Sequence, residues 1–199
     1  AGSDSQTTFM VGKGNVNYYG GDYQNTYVIG KEFGKTYIYS TTPKSADSFT
    51  KIVFEEGITS SDVTMVRSDS WLGISVTGNP NKIYISGYFG PNNAFSGNSR
   101  ALDSIEFSDG SSLSKEDFMQ ADIYQSISSP VYGVDGAHDQ HIYSTVSGSI
   151  YSGNHGSYII HASGDTGTSS QTVIAGSDSQ TTFMVGKGNV NYYGGDYQN

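Results

Sequence analysis

Apolar residues in the opening of this chain come in short bursts, Phe9 to Val11, Val16 to Tyr19 and Tyr27 to Ile29, with glycine and polar residues between them. The bursts keep a rhythm. Gly2-Ser-Asp-Ser-Gln-Thr-Thr8-Phe-Met-Val-Gly12-Lys13 aligns without a gap on Gly20-Gly-Asp-Tyr-Gln-Asn-Thr26-Tyr-Val-Ile-Gly30-Lys31, and Val16 to Tyr19 falls at the half-step. A step of about nine residues has room for about five of strand and four of turn, and none for a helix. The pattern predicts parallel strands coiling into a solenoid, two strands to each coil, with sheets on two faces. The spacing carries on later in the chain through Ile150, Ile159, Ile174, Phe183 and Tyr192. Gly2, Gly12, Gly20, Gly30, Gly153, Gly156, Gly164 and Gly167 are expected at turns that need positive φ, with Ile, Val, Phe and half of the tyrosines filling the interior.

Residues 47–118 have another texture. Leu72-Gly-Ile-Ser-Val-Thr and Lys82-Ile-Tyr-Ile-Ser alternate strictly and are separated by Gly78-Asn-Pro-Asn81, which reads as a hairpin. Ile52-Val-Phe54 and Ile105-Glu-Phe107 echo each other, each running through acid-Gly into a hydroxyl-rich stretch. Ser114 with Asp117 is placed to cap one helical turn.

A longer period overlies the short one: residues 1–25 return letter for letter at 175–199, so that Ala1 recurs as Ala175 and Asn25 as Asn199. Shared composition does not produce such identity. The chain therefore reads as one unit of a tandem array plus the opening of the next, a window in something longer. The expected organisation is β-roll coils over 1–46, a compact antiparallel module over 47–119, β-roll coils over 120–174, and the start of the next identical unit over 175–199. The fold class is all-β: parallel β-roll or β-solenoid coils with a small antiparallel β module.

Composition agrees. In 199 residues, 26 glycines, 16 tyrosines and 15% charged residues favour short strands joined by turns. The formal charge of −9 disfavours nucleic acid or an anionic membrane as partner and suits divalent cations. With no cysteine there is neither a disulfide nor a thiolate metal site, so stability must come from packing, repetition or bound ions. No apolar run approaches the roughly 20 residues of a membrane-spanning helix.

The two textures together resemble the RTX, or haemolysin-type, repeat proteins exported by Gram-negative bacteria. The segments Ile52 to Val63, Arg67 to Val76, Ile83 to Phe89 and Ile105 to Gly110 are similar, in order, to the module that often follows their nonapeptide repeats. The family's nonapeptide, G-G-x-G-x-D-x-U-x, binds calcium between successive coils. The nearest stretches in this sequence are Gly20-Gly21-Asp22, Gly133-Val-Asp135-Gly136-Ala-His-Asp139 and Gly164-Asp165-Thr-Gly167. The resemblance implies calcium as cofactor, with Asp4, Asp22, Asp135, Asp139, Asp165, Asp178 and Asp196 as candidate ligands. An Asx-type turn, in which Asp caps its own backbone, accounts for the same residues. The resemblance also implies secretion to the extracellular surface by the type I route.

Other chemistry is less supported. His138-x-x-His141 does not put both rings on one face of a strand, and His138, His141, His155 and His161 read as solvated turn residues. Gly12-Lys-Gly14-Asn lacks the helix and the Ser or Thr of a phosphate loop. Glu55-Glu56 and Asp103 with Asp109 belong to the echoed strand-to-turn pattern more naturally than to a glycosidase pair. Catalysis is therefore not expected. Thr8, Thr26, Thr36 and Thr172 precede apolar strand cores and form a ladder one residue wide, while Tyr19, Tyr23 and Tyr39 are candidates for glycan contact or for packing on a neighbour. The expected role is structural: an extender repeat of a giant secreted adhesin, biofilm-matrix protein or filament, with neighbouring copies as partners. The alternatives are a calcium-dependent glycan- or ice-binding repeat, and the secretion and folding segment of a toxin or exoenzyme.

Overall fold

The computed structural model describes residues 5–39, 47–68, 70–88, 102–125, 130–163 and 170–196. Their regular elements are strands, apart from one short α-helix and one 3-10 turn among the described residues. They fall into two compact units, the first from Ala1–Met65, Ser70–Gly90 and Phe95–Phe118, the second from Val66–Asp69, Pro91–Ala94 and Met119–Asn199.

The first unit begins with β1 (Gln6–Val11), β2 (Val16–Tyr19), β3 (Gln24–Ile29), β4 (Thr36–Tyr39) and β5 (Phe49–Phe54). β6 (Val63–Ser68) runs from the first unit into the second. β7 (Trp71–Val76), β8 (Lys82–Ser86), β9 (Ser104–Glu106) and β10 (Ser112–Leu113) follow. The alignment of the two opening segments is a strand pairing: β1 lies parallel to β3 with Gln6 opposite Gln24, Thr8 opposite Thr26, Phe9 opposite Tyr27 and Val11 opposite Ile29. Like side chains then touch like. The Gln6 amide donates to Gln24 Oε1 at 2.5 Å, and the Phe9 and Tyr27 rings stack 4.8 Å apart at 9°.

The ladder continues from Tyr27 to Ile52 of β5 and from Ile52 to Ile105 of β9. The two echoing segments therefore lie side by side, and the Phe54 and Phe107 rings meet at 5.6 Å. A second ladder runs β2, β4, β8, setting Tyr18 opposite Ile38 and Ile38 opposite Ile85. The hairpin over Gly78–Asn81 forms as expected. β7 pairs antiparallel with β8, Gly78 takes φ +83, and the Asn79 and Asn81 amides donate to the Phe33 carbonyl.

Residues 47–119 are thus not purely antiparallel. β7–β8 and β9–β10 are antiparallel, but β5 pairs in parallel with β3 and β9, and β8 with β4. The Ile-x-Phe segments alternate in phase with the opening strands, so they extend that ladder and cover its edge. A helix, α1 (Lys115–Met119), follows β10; the Asp117 carboxylate accepts from the Ser114 amide at 2.7 Å and its hydroxyl at 3.1 Å, which caps the turn.

The second unit contains β11 (Asp122–Gln125), β12 (Val131–Tyr132), β13 (Ala137–Ser144), β14 (Gly148–Tyr151), β15 (His155–Ala162), β16 (Gln171–Ile174), β17 (Asp178–Val185) and β18 (Val190–Tyr193). From β11 onward successive strands alternate between two sheets, with β11, β13, β15 and β17 in one and β12, β14, β16 and β18 in the other, all paired in parallel. Ile123, Ile142, Ile150, Tyr158, Ile160 and Val173 fill the space they enclose.

Two of the interior positions expected from the spacing are off by one. Ile160 and Val173 are fully buried, while Ile159 and Ile174 occupy the alternate, half-buried face. A period-2 element converts a one-residue error into the opposite face. The glycine expectation also changes. Gly156 has φ +108, but Gly12, Gly20, Gly30 and Gly153 do not take positive φ; at Gly153 a Cβ would collide with the Tyr158 hydroxyl and the Asp135 backbone. Gly2, Gly164 and Gly167 lie outside the described residues.

Parity makes a test. Ile52, fully buried between Tyr27 and Ile105, is expected to cost about 2–5 kcal/mol on substitution by Ala. Its outward neighbour in Val53→Ala is expected to cost less than about 1 kcal/mol. Urea unfolding of the two variants against the parent measures the contrast.

Candidate functional site

The described candidate aspartates occupy separate places along the strands and turns. Asp135, in the tight turn before β13, accepts from the His155 backbone amide at 2.8 Å and faces His155 Nδ1 at 3.2 Å. These partners, the backbone amide first, hold its carboxyl below the ordinary range. Asp139 stands in the left-handed region at φ 50, at a register shift between Ala137 and Gln140. Asp is one of the few side chains that tolerate this. Its amide donates to Ser157 Oγ at 2.7 Å, and that hydroxyl donates back to Asp139 Oδ1 at 2.9 Å. Asp178 opens β17 with its amide on the Asn154 carbonyl at 3.0 Å. The Asp22 carbonyl accepts from the Ser48 hydroxyl at 2.8 Å, and Asp196 lies in a bend after β18. Asp4 and Asp165 fall outside the described residues.

Calcium takes six to eight oxygens, several of them carboxylate. Among the described residues no three Asp, Glu or His side chains converge. At Asp135 and Asp139 the carboxylates accept from donors on β15, the His155 amide and the Ser157 hydroxyl, rather than from their own turns as an Asx-type turn would. At these two turns no cluster of carboxylates is gathered to meet the ion.

The carboxylates outside the turns of the second unit have similar duties. Asp103 accepts from the Thr50 amide at 2.7 Å and pairs with Lys115 at 2.6 Å. Asp109 accepts from the Ser111 amide and hydroxyl at 2.9 and 2.6 Å. A cleft of about 390 Å³ in the first unit is lined by Lys13, Lys31 and Glu32 on one side and Asn79, Pro80 and Asn81 on the other. The Asn79 and Asn81 amides there are engaged by backbone carbonyls.

The expected threonine ladder does not hold together. Thr8 and Thr26 are neighbours, but Thr26 next meets Lys51 and Thr36 is fully buried. The tyrosines instead stack face to face across strands. Tyr19 lies on Tyr39 at 4.8 Å, Tyr37 on Tyr84 at 5.0 Å and Tyr132 on Tyr151 at 4.7 Å.

A further stack among the described residues takes in two of the histidines. Tyr124, Tyr143 and His161 follow one another on β11, β13 and β15 at 4.7 and 4.4 Å. His141 Nδ1 lies 3.0 Å from His161 Nε2 and 3.1 Å from the Tyr143 hydroxyl. These are strand residues with their rings in contact, which corrects the solvated-turn expectation for His141 and His161. The signal was present in the sequence: His161 follows Tyr143 by the same offset that separates Tyr27 from Phe9 and pairs β1 with β3. Arg67, quoted in the resemblance, is buried and donates to the Tyr132 carbonyl at 3.2 Å.

Residues 72–117 match the family model of the haemolysin-type calcium binding protein related domain. The match spans the β7–β8 hairpin, β9, β10 and most of α1. It does not reach Ile52 to Val63 or Arg67, which the resemblance also used. Comparison with curated proteins and with solved structures gives no match. None of the described helices is long and apolar enough to cross a membrane.

Two outcomes are expected. Asp135→Asn should lower stability by less than about 1 kcal/mol, as exposed pairs do, and by the same amount in millimolar calcium and in excess chelator. A loss confined to calcium would make the carboxylate a ligand. His161 is held below its ordinary value of 6.5 by burial and by His141, with Asp122 opposing. The folded protein therefore binds fewer protons than the unfolded chain just below that value, so stability is full above it and falls as pH drops through the window beneath. Urea midpoints at about pH 7.5 and 5.5 should differ less in His161→Phe than in the parent.

Proposed function

We propose that this chain is an extender repeat of a giant secreted RTX-like surface protein, of the adhesin, biofilm-matrix or filament kind. In this reading the alternating strands wind as a parallel β-roll over 1–46 and 120–174, the module over 47–119 is carried between them, and residues 175–199 start the next unit. The neighbours of each unit are further copies of itself. The observation that carries the reading is the return of residues 1–25 at 175–199, the duplicated segment forming β1 and β2 at one end and β17 and β18 at the other.

The match over 72–117 supports the RTX relation, and with it export to the cell exterior, by type I secretion in a Gram-negative host. Calcium enters through that relation, at turns other than those of Asp135 and Asp139. A role in catalysis is not invoked, since duplication end to end suits a spacer. Glycan binding is less favoured, because the stacked tyrosines turn their ring faces to each other rather than to a sugar. Ice binding is less favoured because the threonines do not share one surface.

Chains of one, two and three units, each ending in the duplicated segment, test the reading. Maximum dimension from small-angle X-ray scattering should grow by an equal increment per unit, and the urea midpoint should rise from one unit to two as interfaces between neighbours are added. Units that tumble independently with an unchanged midpoint would remove the extender role.

A further inference from the structure

The duplicated segment occurs in two settings, and each setting lacks what the other provides. As β1, the segment places Phe9 opposite Tyr27 and Val11 opposite Ile29; among the described residues β1 ends its sheet. As β17, the same segment places Phe183 opposite Ile160 and Val185 opposite Ala162; β17 likewise ends its sheet. The second strand repeats the arrangement. β2 sets Tyr18 opposite Ile38 and Tyr19 opposite Tyr39, whereas β18 sets Tyr192 opposite Val173 and Tyr193 opposite Ile174, and both are terminal strands.

Parity is the same in both settings. Thr7, Phe9 and Val11 take the inward positions of β1, and Thr181 and Phe183 those of β17. Burial is complementary: Thr181 is 1% exposed and Val185 78%, while Thr7 and Val11 are both intermediate. A parallel strand directs its backbone donors and acceptors to both sides. One copy of the segment can therefore pair at both edges at once, with Ile160, Phe9 and Tyr27 in one row and Val173, Tyr18 and Ile38 in the other. Every inward place in those rows is apolar.

We propose that this segment is an exchangeable seam: β1 and β2 of one copy of the chain dock on β15 and β16 of a second copy, in the register that β17 and β18 occupy there, and join copies head to tail. The idea rests on the extender reading for its setting, but it concerns a contact between separate chains. Because the two segments are identical, they offer β15 and β16 the same contacts. The internal one has the advantage of tethering, equivalent to an effective concentration in the millimolar range for a short link. Exchange should therefore appear at high protein concentration, or when the internal segment is weakened.

The absence of cysteine makes the register testable by disulfide trapping. Ile159 lies opposite Thr182, the copy of Thr8. A chain carrying Ile159→Cys and Thr8→Cys, concentrated and oxidised, should give a ladder of covalent oligomers, and Ile159→Cys with Thr7→Cys, out of phase, should not. Weakening each segment in turn gives an independent measure. Phe183→Ala should raise the weight-average mass from light scattering at least twofold at a concentration where the parent is monomeric, and Phe9→Ala should leave or lower it. Equivalent residues with opposite effects are not explained by general loss of stability. No in-phase ladder, or the same change of mass in both phenylalanine variants, would overturn the seam. In that event a urea midpoint that still rises with unit number would leave the extender role standing.

Discussion

A parallel strand satisfies its backbone only through neighbours that the chain reaches after a full excursion and return. That requirement organises this protein. β1 meets β3 after one such excursion, and β13 meets β15 mostly at the same step. Once the spacing is set, like residues are brought opposite like: glutamine on glutamine, tyrosine on tyrosine, isoleucine on isoleucine. The stacked rings and buried isoleucines follow from the ladder, and they reinforce the register that produced them.

The excursions must be closed without exposing unpaired groups, and buried amides perform this task. Gln140, 1% exposed, accepts from the Val134 amide at 2.8 Å and donates to the Met119 and Ala121 carbonyls at 2.8 and 3.0 Å. Asn25, 3% exposed, bonds to both the amide and the carbonyl of Gly21 at 2.8 Å. Tyr158 lies 2.5 Å from the Val134 and His155 carbonyls, and burial raises its hydroxyl to about 12, so it stays a donor. A side chain with both donor and acceptor can satisfy two backbone ends of a turn together, which leaves glycine where the tyrosine approaches closely.

These features differ in how far the sequence reveals them. Register between β1 and β3 is legible because the pairs from Gln6–Gln24 to Val11–Ile29 repeat without a gap. The echo of Ile52 to Phe54 in Ile105 to Phe107, the Gly78–Asn81 hairpin and the Ser114 cap are legible for the same reason: each is a local rule with its residues in place. The inward choice of Ile160 over Ile159 is not, since β15 reaches β17 by a longer step that sets His155 opposite Asp178, and the left-handed Asp139 inserts a shift before Gln140. Buried glutamines are opaque to a reading that assigns interiors to apolar residues. The His141–His161 contact is diagonal between strands, so it follows only once the register is known.

The turns of the second unit also bear on how neighbouring strands are linked. In an ion-bound coil the carboxylates converge on a cation, which links one turn to the next and makes folding depend on the medium. At Asp135 and Asp139 the linking groups are instead the His155 amide and the Ser157 hydroxyl of β15. Each contact ties β13, or the turn before it, to the paired strand β15 through a carboxylate, as calcium would between turns, but with a donor carried by the chain itself.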